Sequence, residues 1–329
     1  MNKLFLGLDT SNYKTSVSLV DEQGDIVFNK SEYLSVPQGK KGLRQSEAFF
    51  NHSNRLPGYI SEALKDIPRS DISAIGVSDK PRRVEGSYMP CFMAGLNAAL
   101  EMGSALDIPV FRFSHQEGHA AAIIHSLGHD ETCAFLHLSG GTTEFLVCRQ
   151  TKYGYDMEIA GGTKDISFGQ LLDRVGVALG LEFPSGVFLD DISIKAMDDG
   201  VRLSKVLPKV KISDGQFNLS GAETRALRFI ESDPCEAEVS GLTVEIFKTI
   251  SDIISGSSEY MIDKYNVSKV YVAGGVASSR SVRRLLSTSK ISNQIIFGDP
   301  VLSGDNAVGI ARLACRIFSN ETGNSNTGK

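Results

Sequence analysis

The chain has 329 residues, a net charge of -5, and 41% hydrophobic against 22% charged residues. That balance is globular, which excludes wholesale disorder, and the length favours two domains. No apolar run approaches the ~20 residues that span a bilayer, and the opening Met1 to Asp9 is too short in its apolar part for a secretory signal. A cytoplasmic protein with no membrane partner is expected.

In chain order, residues 4–9 read as a buried strand, 10–13 as a turn, and 15–20 as a β-branched returning strand. A turn at 22–25 and a strand at 26–28 complete a meander. A helix is expected over 45–64, a strand at 74–77, a helix over 94–103 and a strand at 110–112. The meander recurs as strands at 134–138, 144–148 and 157–160, with FLHLSGGTTEFLVC echoing FLGLDTSNYKTSVSLV. This internal duplication is the most informative feature of the organisation. Helices are then expected at 166–180, 239–265, 280–286 and 304–319, with strands at 269–273 and 295–297. Strands alternating with helices define an α/β class. The polar tail 320–329 reads as disordered.

Five cysteines (Cys91, Cys133, Cys148, Cys235, Cys315) are widely spaced without a CxxC pair, and read as buried reduced thiols. The acidic total gives no global basic footprint, so a nucleic-acid partner needs a local patch. Basic residues cluster at Lys40, Lys41 and Arg44; at Lys80, Arg82 and Arg83; at Lys205, Lys209 and Lys211; and at Arg280, Arg283 and Arg284. Each alone reads as a solvated face.

Asp9-Thr10-Ser11 and Ser139-Gly140-Gly141-Thr142-Thr143 both follow strands. Small residues at such a bend leave backbone N–H groups free to face a phosphate, and hydroxyls add donors. Singly each is a common turn; as a duplicated pair they favour phosphate binding. Gly274-Gly275 ends a strand and permits close approach of a purine or ribose, or forms a tight βα turn. His115-Gln116-Glu117-Gly118-His119 is the sharpest local signal. On a helix the two histidines share a face and could share a metal, while Glu117 points away from it. His125 and His129 repeat the spacing in a looser stretch and read as surface residues. A third ligand is required, and Asp305 is the candidate, although by local rules alone it reads as an N-cap or first-turn acid.

These pieces, in order, resemble the TsaD/Gcp family of tRNA threonylcarbamoyladenosine synthases. They are LGLDTS, HQEGH, LSGGT, TKDISFGQLLDR, LGLEFPSG, NLSGAET, GGVASS and GDNAVGIA, between about residues 4 and 316. The resemblance implies a two-lobed actin-like ATPase fold built from duplicated RNase-H-like subdomains. The first lobe would comprise 1–113 plus 301–319 and the second 114–300, with nucleotide and metal in the cleft between. It implies one divalent metal, iron or zinc, on His115, His119 and Asp305. It implies an adenine nucleotide (ATP, ADP, AMP or threonylcarbamoyl-AMP) held by His137, Leu138, Ser139, Gly140, Gly141, Asp173, Gly186, Gly274, Gly275 and Ser279. Asp9, Ser11 and Lys14 would lie near the reaction centre, with no catalytic residue assigned. The implied reaction moves a threonylcarbamoyl group from its adenylate to adenosine 37 of tRNA. The implied protein partner is TsaB-like or TsaD-like through the first lobe, or a second copy of the chain.

Several positions depart from the family pattern. Its opening Glu-Thr-Ser-Cys-Asp-Glu-Thr is here Asp9-Thr10-Ser11-Asn12-Tyr13-Lys14-Thr15, so two acids become Tyr13 and Lys14. Its Gly-Pro-Gly loop is replaced by residues 79–86. A histidine becomes Thr142, a lysine Glu223, an asparagine Ser279, and the second acid of an Asp-Asp pair Ile166. Two readings remain: a carbamoyl transferase, on tRNA or another acceptor, and a catalytically altered nucleotide-binding partner subunit.

Overall fold

The computed structural model describes residues 3–11, 13–35, 43–124 and 131–325. Asn12, Lys40, Lys41, His125, His129 and residues 326–329 lie outside them. The chain forms two compact units, the first of residues 1–131, 150–157 and 305–329, the second of 132–149 and 158–304.

The sheet of the first unit contains β1 (Leu4–Asp9), β2 (Lys14–Val20), β3 (Ile26–Tyr33), β4 (Ile72–Lys80) and β5 (Val110–Ser114). Their order is β3-β2-β1-β4-β5, with β1 antiparallel to β2 and parallel to β4. All six residues of β1 are buried, as expected of a strand covered on both faces. Leu4, Leu6 and Leu8 share a core with Leu56 and Tyr59 of α1 (Gln45–Ala63) and with Leu96 and Ala99 of α2 (Phe92–Leu106).

The opposite face receives the last helix. A Cβ on Gly7 would stand 2.4 Å from the Ala307 carbonyl oxygen, and one on Gly76 2.5 Å from that of Ile310. These two glycines let the C-terminal segment lie directly on the strand backbones. α3 (His115–Ile123) packs beside it, against α10 (Val308–Ser325).

In the second unit, β6 (Thr132–Leu138), β7 (Thr143–Thr151), β8 (Gly154–Thr163), β9 (Gln216–Phe217), β10 (Val270–Ala273) and β11 (Ile295–Phe297) follow the order β11-β10-β6-β7-β8-β9. A central strand again has its meander on one side and two parallel strands on the other. Short β9 is the only addition among the described strands, so the duplicated RNase-H-like arrangement holds. The helices are α4 (Phe168–Ala178), α5 (Gly186–Asp198), α6 (Ser220–Glu231), α7 (Glu236–Tyr265), α8 (Arg280–Leu286) and α9 (Pro300–Ser303). Phe168 and Phe217 stack in the core at 5.6 Å between centroids. Ile166 is buried in the same core, which accounts for an apolar residue beside Asp165.

Four expectations need correction. Residues 114–131 belong to the first unit, because α3 packs on α10, and residues 301–304 belong to the second. The tip of the β7–β8 hairpin, 150–157, also belongs to the first: Arg316 donates to the Gly154 carbonyl at 2.9 Å. Residues 320–325, expected to be disordered, continue α10 to Ser325. Cys235 is exposed at the start of α7, whereas the other four cysteines are buried, all five being free. No helix among the described residues is long and apolar enough to cross a membrane.

Candidate functional site

α3 begins with a capping box. Ser114 Oγ accepts the Glu117 N–H at 3.3 Å, while the Glu117 carboxylate accepts the Ser114 N–H at 2.8 Å. This pattern, Ser-x-x-Glu, stands in the sequence at 114–117 and identifies where the helix starts. Glu117 is further occupied by Arg83, at 2.7 Å, and is buried. Its Oε1 accepts the Tyr155 N–H at 3.4 Å, so both carboxylate oxygens are committed within the fold. Arg83 comes from the 79–86 loop that departs from the family pattern.

With the helix so started, His115 and His119 lie one turn apart on one face. Their Nε2 atoms approach to 3.0 Å. Asp305 Oδ1 stands 3.3 Å from His119 Nε2 and 3.7 Å from His115 Nε2. Two donors, each about 2.1 Å from a tetrahedral ion, lie about 3.4 Å apart, so these separations bracket what one ion requires. Two imidazoles and one carboxylate are also the donor types that zinc or iron(II) takes.

Asp305 lies before α10, not within it. Asn306 Oδ1 accepts the Val308 N–H at 2.9 Å, so Asn306 serves the helix start and the N-cap reading of Asp305 falls. Ser31 Oγ donates to the Asp305 carbonyl at 2.8 Å, and Ser11 Oγ to its carboxylate at 3.4 Å.

Asp9 supplies what the sequence did not make evident. At the buried end of β1, its Oδ2 stands 2.7 Å from His115 Nδ1. With the proton on Nδ1, His115 donates to Asp9 and turns its Nε2 lone pair toward His119 and Asp305. The electrostatics are tightly coupled. Burial opposes charge on His115, but Asp9 and Asp305 outweigh it and push its pKa up to about 10. Burial and then the His115 charge push His119 down. Burial would raise Asp305, but both imidazoles hold it well below the carboxylate range. Without an ion, a proton on His115 Nε2 occupies the point where the three donors converge, and an ion bound there takes its place. Asp9→Asn keeps the size of the side chain and loses the charge that orients His115; metal affinity is expected to fall about 10–100-fold, as read by competition with a chromogenic chelator.

The phosphate role expected for Asp9-Thr10-Ser11 does not fit. Asp9 and Ser11 serve the histidine–aspartate group, and Thr10 Oγ1 donates to the Cys91 carbonyl at 3.1 Å while accepting the Gly95 N–H.

The second unit holds the other glycine-rich turns. The bend between β6 and β7 is closed by Ser139, whose Oγ accepts the Thr142 N–H at 3.1 Å. Cβ atoms on Gly140 or Gly141 would meet nothing within 4 Å, so the outer side of this turn is open. Gly274 has a φ of +104°, and its Cβ would stand 2.2 Å from the Leu138 carbonyl oxygen, while Gly275 faces open space. Gly274 is thus required to seat the end of β10 against β6. His137 is buried beside Phe135. α4 links this turn to the other expected nucleotide residues. Ser167 Oγ at its N-cap donates to the Gly140 carbonyl, and further along the helix Asp173 accepts the Ser185 N–H at 2.8 Å, just before Gly186. Burial raises the Asp173 pKa, against the backbone bonds from Ser185 and Gly186.

Two departures from the family pattern are internally paired. Ser279 Oγ donates to Asp190 at 2.6 Å, so this hydroxyl is committed to the start of α8. Glu223 accepts from Arg174 at 2.9 Å. The cluster at 280–284 is also largely consumed: Arg280 pairs with Asp190 and Asp191, and Arg284 with Asp198. A separate groove is lined by Lys205, Arg225 and Arg228 around Val206 and Phe229.

The two sheets have the actin-like ATPase fold, and His115, His119 and Asp305 form a candidate metal site. The sequence pattern of the TsaD family, tRNA N6-adenosine threonylcarbamoyltransferase, matches residues 27–312. The chain belongs to this family. It is 28% identical over 316 residues to the tRNA N6-adenosine threonylcarbamoyltransferase of Carboxydothermus hydrogenoformans, covering 94% of this chain and 91% of that protein. The Neorickettsia sennetsu enzyme of the same name is 28% identical over 320 residues, covering 95% and 93%. Among solved structures, full-length HypF in its phosphate- and nucleotide-bound form aligns with a TM-score of 0.60 at 13% identity, over 97% of this chain and 55% of that one. That likeness speaks to the fold alone.

Proposed function

We propose that the chain transfers the threonylcarbamoyl group of threonylcarbamoyl-adenylate to N6 of adenosine 37 in tRNA, with iron or zinc on His115, His119 and Asp305. The observation that carries this reading is the convergence of His115 Nε2, His119 Nε2 and Asp305 Oδ1 in a chain of this family. When bound, the ion supplies Lewis-acid polarisation of an oxygen on the reacting group. Asp9 fixes the His115 ring, and Ser11 and Ser31 fix Asp305. The open turn at Gly140 and Gly141 offers backbone N–H groups to the adenylate phosphate, with Gly274 and Gly275 beside it and Asp173 and Gly186 toward the ribose. In the reaction the N6 nitrogen bonds to the carbamoyl carbon, the C–O bond of the mixed anhydride breaks, AMP leaves with that electron pair, and the N6 proton passes to water. Much of the rate comes from positioning. The tRNA backbone would find cations at the Lys205, Arg225 and Arg228 groove. A cytoplasmic location and a TsaB-like partner on the first unit accompany this reading.

The second reading is a nucleotide-binding partner subunit without transferase activity. The pairing of Ser279 with Asp190 and of Glu223 with Arg174 favours it, because both positions depart from the family pattern and Ser279 belongs to the expected nucleotide set. Incubation with threonylcarbamoyl-adenylate, an unmodified ANN-decoding tRNA and TsaB- and TsaE-type partners separates the two. Threonylcarbamoyladenosine in the digested tRNA, detected by mass spectrometry, supports transfer. Its absence, while an intact-motif family member succeeds, supports the partner subunit.

A further inference from the structure

Lys14 stands where the family pattern has an acid, and its surroundings give it a task. The β2–β3 register opposes Lys14 to Tyr33, Ser16 to Ser31 and Ser18 to Asn29. Ser16 and Ser31 join through their hydroxyls at 2.8 Å, and Ser18 Oγ donates to Asn29 Oδ1 at 2.8 Å, so these side chains occupy one face of the sheet. Thr15 points to the other face, where its hydroxyl meets His52. Ser31 on the first face holds the Asp305 carbonyl. Lys14 and Tyr33 therefore sit on the Asp305 face, two residues or about 7 Å further along the strands. The Lys14 ammonium rests 4.4 Å from the centroid of the Tyr33 ring. Tyr33 is itself 70% exposed, which leaves this cation–aromatic pair open to a ligand. Among the described residues Lys14 has no carboxylate within ion-pair distance.

We propose that Lys14, braced on the Tyr33 ring, anchors the α-carboxylate of the acyl donor beside the metal ligands. The inference rests on the transfer reading above. In a threonylcarbamoyl group the carboxylate lies a few bonds from the carbamoyl carbon, so a donor held at the histidines and Asp305 brings it to the strand face on which Lys14 stands. The adenylate phosphate leaves the carbamoyl carbon in another direction. A lysine here adds a charge-assisted contact for an acyl arm that ends in an anion.

The test pairs two non-hydrolysable adenylate analogues, one carrying the threonyl carboxylate and one with it replaced by hydrogen. Their binding to metal-loaded wild type, Lys14→Gln and Lys14→Glu is measured by calorimetry, with thermal unfolding to check the fold. Lys14→Gln is expected to weaken the carboxylated ligand about tenfold or more and to leave the other unchanged. Lys14→Glu should weaken it further, Tyr33→Phe should retain the preference, and Tyr33→Leu should reduce it. Equal losses on both ligands would assign Lys14 to the phosphate and overturn the inference. So would a wild type that does not prefer the carboxylated ligand, or a Lys14→Gln that binds like wild type. If the wild type shows the Lys14-dependent preference yet modifies no tRNA, the transfer reading fails and the anchor stands. If tRNA is modified and Lys14→Gln binds like wild type, the anchor fails and transfer stands.

Discussion

Replacing His119 by alanine is expected to remove the metal and, with it, threonylcarbamoyl transfer to below detection. The imidazole is buried, and its Nε2 is the atom closest to both other donors, at 3.0 Å from His115 and 3.3 Å from Asp305. Loss of a second-sphere group costs about 10–100-fold in metal affinity, and loss of a direct ligand exceeds that. The alanine also leaves Asp305 with one imidazole instead of two to balance its charge. Metal content by plasma emission spectrometry should fall from one equivalent toward zero. Because an ion that binds only the folded state stabilises it by mass action, added zinc or iron(II) should raise the wild-type Tm and leave that of His119→Ala unmoved. Full metal occupancy in His119→Ala would refute the assignment of these three ligands.

Gly309→Val should be the most damaging substitution outside the ligands. Gly309 lies in α10 where it crosses α3, and its Cβ would fall only 1.9 Å from the Gly118 carbonyl oxygen and 2.7 Å from the Ala122 nitrogen. Both obstacles are backbone, so no side-chain rotation relieves them. Overpacking against a deformable neighbour costs about 1–3 kcal/mol; against two helix backbones at least about 3 kcal/mol is expected, measured as a lowered denaturant midpoint. The helices cannot separate without parting their residues, since Gly118 lies between the two histidines in sequence and Gly309 follows Asp305 by one turn. Surviving folded protein should therefore bind metal more than 100-fold more weakly, while nucleotide binding by the second unit persists. A stable Gly309→Val with wild-type metal affinity would mean that this crossing does not position the ligands.

Much of the centre was legible because its residues are close in sequence or carry a period. Four-residue spacing on a helix puts His115 and His119 on one face without any tertiary knowledge. Alternation of β-branched residues revealed both meanders, and their similarity revealed the repeat. Asp305 was legible only through resemblance, since its local context reads as a helix cap. That cap belongs to Asn306, a difference of one residue that no periodicity resolves. Asp9 as the partner of His115 was hidden for a different reason. The two residues are more than a hundred positions apart and meet only because β1 and α3 fold onto the same unit. α5 and α6 have no counterpart in the sequence reading, because neither start has a side-chain cap to mark it. The unit boundaries were misplaced at α3 because two glycines, Gly118 and Gly309, encode a close crossing that leaves no pattern in either segment alone.

The first unit is completed by Asp305 and α10, far in sequence from its strands, and this sets an order of events at the ribosome. Gly7 and Gly76 wait for α10 to cover them, and the histidines wait for Asp305. At translation speeds of about 5–20 residues per second, roughly 10–40 s separate emergence of α3 from that of α10. The nascent chain thus carries an uncovered sheet face and two of its three ligands through most of its synthesis. The three candidate ligands can converge only after Asp305 has emerged, and a chain that terminates before it lacks the third of them.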